Sequence, residues 1–317
     1  MHEGKAKGAD LIIYPDGTLY HINLKRADGV PRNVFFMGAA GRVDAVARHF
    51  DKITFRRQDL VNRPEFSIAA GTYNGVPMAA FSCGIGTDNM EIVLNEFHAL
   101  FEYDHERDIW TDAPPPVNII RIGTCGAFQP HTPLGACIIS EYAIGLDNLG
   151  AYYPAPRGRN PLSVRIEDAF RKTSIGRINP CAYVSEASPE AVAALQQAAA
   201  DIGQTPHTPL GITTSAPGFF GPEGRQTGRL HTAFTTPEFL DIIMSFAVED
   251  HRILNTEMEA SILFRIAHEQ LGYRAGAICL ALDNLSKNEV MQKDEVDRRM
   301  DACIRIAFGA MIKLAAT

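Results

Sequence analysis

The chain has 317 residues, 46% hydrophobic and 21% charged, which is enough apolar mass for a full core and excludes a disordered or fibrous protein. Lys and Arg number 30 against 37 Asp and Glu, a formal charge of −7 that argues against non-specific nucleic-acid binding but not against holding one small anion in a local basic pocket. The apolar runs, such as 275–282, are too short to span a bilayer, and the first residues lack the apolar stretch of a signal peptide. The expectation is therefore a cytoplasmic protein with no membrane or nucleic-acid partner. Six cysteines (Cys83, Cys125, Cys137, Cys181, Cys279 and Cys303) are scattered without a C-x-x-C pair and read as reduced core residues, not as a disulfide frame or a zinc site.

In chain order, β-rich runs at 33–37, 78–82, 117–122, 136–144, 211–215 and 275–282 alternate with amphipathic stretches at 42–50, 89–103, 189–202, 236–246, 256–271 and 294–314. Several of the strands are apolar on both faces, as in a sheet covered by helices on each side. This rhythm predicts one α/β domain over residues 1–317, around a largely parallel or mixed sheet. Segment 104–116, with its Pro114-Pro115-Pro116 run, and segment 152–160 read as irregular surface excursions rather than linkers.

Ligands in open α/β sheets gather where strands give way to helices, and four such exits carry unusual residues. In Phe36-Met37-Gly38-Ala39-Ala40-Gly41-Arg42 an apolar strand meets a glycine turn, and an arginine follows in the first helical turn. An arginine there opposes the helix dipole unless it faces an anion, although an ordinary turn with a solvated arginine fits as well. In Ile120-Arg121-Ile122-Gly123-Thr124-Cys125-Gly126, Arg121 stands in a strongly apolar strand with no carboxylate nearby in sequence. A buried guanidinium needs a partner, either a remote acid or a ligand, and phosphate suits its planar fork. Thr256-Glu257-Met258-Glu259 reads first as a capping box, Thr256 to Glu259, and second as a carboxylate gripping two sugar hydroxyls. Phe219-Phe220-Gly221-Pro222-Glu223-Gly224-Arg225 fits a flat heterocycle stacked and bonded at its edge, or a surface loop with a buried Phe pair.

Taken together with Tyr20-His21-Ile22-Asn23-Leu24 and Ser82-Cys83-Gly84-Ile85-Gly86, these stretches resemble the nucleoside phosphorylase-I family, and within it the uridine phosphorylases. The resemblance runs from about Tyr20 to the C-terminus and is weakest over 103–116 and 150–184. It implies a three-layer α/β/α sandwich with a central mixed sheet, and reversible phosphorolysis of uridine to uracil and ribose 1-phosphate. It also implies inorganic phosphate as co-substrate, no organic cofactor, and a homodimer or larger assembly with shared active sites. By position, it assigns the phosphate to Gly38, Arg42, Arg121 and Thr124, with Arg63 lent by a partner subunit. The ribose falls to Thr124, Glu257, Met258 and Glu259, with His21 from the partner. The base falls to Cys125, Gly126, Phe219, Glu223, Arg225 and Asp283. Arg121, Arg225 and Glu259 would carry the catalysis, and a cation between subunits would sit at Glu65, the Ile85 carbonyl and Asn89.

Two departures bear on the base. Uridine phosphorylases usually carry a glutamine where this chain has Glu223, and an ionised carboxylate only accepts hydrogen bonds. Uridine-specific members follow an asparagine with an arginine where this chain reads Leu282-Asp283-Asn284, and purine-cleaving relatives use an aspartate in this region. The competing readings are a purine nucleoside phosphorylase or nucleosidase of the same fold, and a nucleoside-binding protein without turnover.

Overall fold

The computed structural model describes residues 8–57, 63–111 and 116–317. Ten strands form its backbone: β1 Asn33–Met37, β2 Lys52–Arg57, β3 Ile68–Tyr73, β4 Val76–Ser82, β5 Asn118–Ala127, β6 Cys137–Gly145, β7 Tyr183–Glu186, β8 Leu210–Ser215, β9 His251–Glu257 and β10 Arg274–Asn284. The helices are α1 Ala40–Ala47, α2 Thr87–Glu102, α3 Pro161–Arg171, α4 Ser174–Ile178, α5 Pro189–Asp201, α6 Thr236–Ser245, α7 Ala260–Leu263 and α8 Lys293–Ala315. Where 256–271 was expected as one helix, α7 gives way after one turn to a π-helix, Phe264–Gln270.

The strands lie in the order β9-β8-β6-β10-β5-β1-β4-β3-β2, with β7 pairing β6. Parallel pairs (β1 with β4 and β5, β10 with β5, β8 with β6 and β9) mix with antiparallel ones (β2-β3-β4, β10 with β6), so the sheet is mixed as expected. One further pairing was not foreseen. The end of β9 turns back antiparallel onto β5, Asn255 opposite Ala127 and Thr256 opposite Gly126, so that β9, β8, β6, β10 and β5 close into a ring. Helices layer the sheet: α5 and α8 pack on each other and on β10, and α2 packs against α7.

Local signals explain the helix starts. Asn160 caps α3 and Ser188 caps α5, each followed by proline in the first turn, and Thr235 with Glu238 forms a capping box on α6. The box expected at Thr256 does not form, because β9 continues through Glu257 and Glu259 becomes the N-cap residue of α7 with no side-chain cap. Inside segment 104–116, Tyr103–Asp104 and Ile109–Trp110 pair as a small hairpin, while 112–115 lie outside the described residues. Five of the six cysteines are buried; Cys181 is exposed, against the expectation that all six belong to the core. Phe219 and Phe220 are likewise half exposed rather than a buried pair. Among the described residues, no helix is long and apolar enough to cross a membrane.

Candidate active site

A cavity of about 440 Å³ opens where the exits of β1, β5, β9 and β10 meet the 217–225 loop. Its wall includes Gly38, Arg42, Arg121, Thr124, Cys125, Gly126, Phe219, Glu223, Arg225, Glu257, Met258, Glu259 and Asp283. Thirteen residues assigned to one site from sequence thus share one cavity.

Arg121 sits in the centre of the sheet, opposite Phe36 of β1 and Ala277 of β10, and its side chain is 4% exposed. The remote acids it requires are Glu257 and Glu259, brought alongside by the β9–β5 closure. Nη2 of Arg121 pairs closely with Glu259 Oε2 and lies 3.3 Å from Glu257 Oε2. Nη1 donates to Cys279 Sγ at 3.1 Å. Burial, the largest influence, works against the charge on Arg121, but the Glu257 carboxylate and its other neighbours together outweigh it and hold the guanidinium above its ordinary pKa. The two acids divide the labour. Glu257 accepts from Ser215 Oγ at 2.5 Å and from the amides of Glu259 and Ala260 at 3.0 Å, so its oxygens are occupied by the start of α7. That makes it an organiser of Arg121 rather than the sugar ligand expected from the resemblance. Among the described residues Glu259 accepts from Arg121 and from the Gly86 amide at 2.8 Å, one bond to each oxygen, which leaves each a further lone pair on a residue that lines the cavity. Gly86 reaches this position with φ of 98°, a left-handed conformation that favours glycine.

Arg42, in the first turn of α1, donates to the Ile122 carbonyl at 3.4 Å, and among the described residues no carboxylate pairs with it. Burial, and next the charge of Arg121, lower its pKa from the ordinary value. A guanidinium held against the helix dipole and against a second guanidinium is stabilised by an anion placed between them. Arg42→Ala is accordingly expected to raise the KM for phosphate about tenfold or more while leaving the thermal midpoint close to that of the wild type, since it breaks no ion pair. Steady-state kinetics at varied phosphate, together with a melting curve, checks both halves.

At the opposite end Arg225 donates to Glu223 and, at 2.6 Å, to Asp283 Oδ2, with its guanidinium carbon 4.2 Å from the centre of the Phe219 ring. Cys125 and Gly126 form the floor beside them, and a β-carbon on Gly126 would lie 2.5 Å from Asp283 Oδ1. Cys125, like Cys279 and Cys83, is a buried thiol whose pKa burial raises, which keeps it uncharged and inert.

Two expected residues lie elsewhere. The His21 ring bonds Glu96 through Nδ1 at 2.7 Å, and Arg63 lies over the Tyr20 ring at 5.5 Å. Neither lines the cavity, but through Tyr20, whose ring meets that of His21 at 4.7 Å, they share one patch. As for the interface cation, Asn89 Nδ2 donates to the Ile85 carbonyl at 2.8 Å, so that carbonyl is already engaged within the chain. Glu65 is then the lone carboxylate of the set, which falls short of the six or more oxygens a hard cation gathers. One chain alone does not supply a complete set of cation ligands.

A family model described as the phosphorylase superfamily matches residues 34–312. The chain belongs to that superfamily. It is 29% identical over 287 residues to a uridine phosphorylase of Thermococcus kodakarensis, covering 90% of this chain and 85% of that one. It is 24% identical over 293 residues to one of Haemophilus influenzae, covering 92% and 96%. Among solved structures, a Trypanosoma brucei nucleoside phosphorylase described as showing uridine phosphorylase activity superposes with a TM-score of 0.86 at 32% identity, over 96% of this chain and 99% of that one. The nucleoside phosphorylase-like fold of this superfamily member is the one that the resemblance of its sequence implies.

Proposed function

We propose that the chain is a phosphate-dependent pentosyltransferase that cleaves uridine reversibly to uracil and ribose 1-phosphate, a reaction of pyrimidine nucleoside salvage. The observation that carries this reading is the pair Arg42 and Arg121 at one end of the cavity, with Arg42 free of any carboxylate among the described residues, Glu259 beside them and Arg225 at the other end. That order, anion site then diol acceptor then planar-base donor, follows the order of groups in phosphate plus nucleoside.

In phosphorolysis an oxygen of phosphate forms a bond to C1′ as the C1′–N bond breaks and its electron pair leaves on the base. The sugar gains positive character and the base negative charge. Arg42, Arg121 and Thr124 hold the phosphate below C1′, where its own charge faces the developing cation. Glu259 fixes the ribose by charge-assisted bonds, worth about 1.5–3 kcal/mol each. Arg225 donates to a uracil oxygen, a bond that tightens as charge flows onto the ring and so acts on kcat. Gly38 and Met258 shape the walls against phosphate and ribose. The reading includes a cytoplasmic homodimer, in which the patch holding His21 and Arg63 serves the neighbouring subunit's ribose and phosphate.

Uracil release from uridine, measured with and without added phosphate, tests this reading. Release that does not depend on phosphate points to a nucleosidase, and binding without release points to a nucleoside-binding protein. Arg225→Ala is expected to lower kcat/KM for uridine by about 10²-fold or more, and for inosine far less. Equal losses for the two substrates would favour a purine enzyme.

A further inference from the structure

At the base end of the cavity two carboxyl groups share one guanidinium. Arg225 donates through Nη1 to Glu223 Oε2 and through Nη2 to Asp283 Oδ2. The Glu223 side chain is 3% exposed and that of Asp283 23%. Asp283 Oδ1 is buried with no hydrogen-bond partner among the described residues. The charged groups that face Glu223 are Arg225 on its own loop, Asp283 from β10 and Glu257 from β9, one cation against two anions. An ionised Glu223 would add a third negative charge on a side chain only 3% exposed, and one bound proton relieves that cost. Of the two carboxyls on Arg225, Glu223 is the more deeply enclosed, so the proton stays there.

We propose that Glu223 is a specificity-determining residue that reads the base as a carboxylic acid, donating its O–H to a ring carbonyl while its other oxygen accepts from the adjoining ring N–H. This rests on the uridine reading above. A neutral carboxyl presents a donor and an acceptor side by side, as an amide does, and the C=O/N–H pair on the edge of uracil is its complement. A carboxylate offers two acceptors and repels the carbonyl. Oε2, bound to Arg225, keeps a second lone pair for the ring N–H, and Oε1 carries the proton. The titration is in keeping with the geometry. Burial pushes the Glu223 carboxyl up to about 8, Arg225 opposes the shift, and Asp283 and Glu257 add to it.

Two measurements test the proposal. In the first, an infrared difference spectrum of the resting enzyme between pH of about 7 and about 9 should show the C=O band of a carboxylic acid lost on the alkaline side, and Glu223→Gln should lack that change; a wild-type spectrum without it overturns the proposal. In the second, kcat/KM for uridine, which reports the free enzyme, should fall about tenfold more over that interval in the wild type than in Glu223→Gln, as expected for a group titrating near 8. The imide of uridine ionises identically for both proteins, so the ratio isolates Glu223. Asp283→Asn leaves Arg225 to Glu223 alone and should move the alkaline limb to lower pH. A Glu223→Gln profile that follows the wild-type limb, or an Asp283→Asn limb that stays in place, overturns the proposal. Absence of phosphate-dependent uracil release at every pH would overturn the function proposed above instead, and the infrared change would still decide the state of Glu223.

Discussion

Arg121→Ala is expected to cut phosphate-dependent uridine cleavage by about 10²–10³-fold and to destabilise the fold in the same step. Sequence alone suggested that the fold would survive this change, because no acid stands near Arg121 in the chain. The structure reverses that part. Glu257 and Glu259 lie against the guanidinium with side chains 1% and 3% exposed, and its removal leaves two buried carboxylates facing each other. Breaking such a pair costs about 3–5 kcal/mol. Chemical denaturation gives the stability loss, and turnover at varied phosphate, measured well below the thermal transition, gives the catalytic one. A stable variant with full phosphate-dependent activity would remove Arg121 from the mechanism, whereas an unstable one with full activity would make it a structural ion pair only.

A single methyl group should do nearly as much damage. Gly123 lies two residues along β5 from Arg121, and a β-carbon built on it falls on the Arg121 guanidinium and 2.6 Å from Cys279 Sγ. The thiol belongs to a central strand and Arg121 is pinned by two acids, so neither yields cheaply. Gly123→Ala is expected to lower kcat/KM by about 10²-fold, the effect of displacing a positioning group by an ångström, with a stability cost of about 1–3 kcal/mol from overpacking. No charge is added or removed, so the loss isolates the placement of Arg121 from its presence. Kinetics and melting of this variant beside Arg121→Ala make the comparison, and a Gly123→Ala enzyme with wild-type phosphate KM and turnover would show that the guanidinium has no fixed post to keep.

Apolar strands and the glycine turn at Gly38 were legible because burial on both faces writes itself into the local sequence. So was the oddity of Arg121, since a charge in Ile119-Ile120-Arg121-Ile122 has few explanations. Its partners were not legible, because Glu259 lies 138 residues further on and arrives through a strand pairing that leaves no local mark. The same pairing explains why no capping box forms there: Thr256 and Glu259 have its spacing, but β9 holds Thr256 in the sheet. The edge strand β2 leaves little apolar signal because most of its side chains face solvent, and β9 because its buried end, Asn255, Thr256 and Glu257, is polar rather than apolar. The shared guanidinium of Glu223 and Asp283 was foreseeable only as two unexplained departures from a family pattern, which the fold then places on one arginine.

The seam at which Asn255 and Thr256 meet Ala127 and Gly126 has a consequence for anyone who cuts or rearranges this polypeptide. Cation and counterion reside on opposite lips of that seam, so a fragment ending ahead of residue 251 would keep Arg121 without either acid that neutralises it. New termini or inserted modules belong on the outer edge near β2, where the pairing is local, and any design that unzips the seam parts Arg121 from Glu257 and Glu259 and so dismantles the proposed catalytic centre.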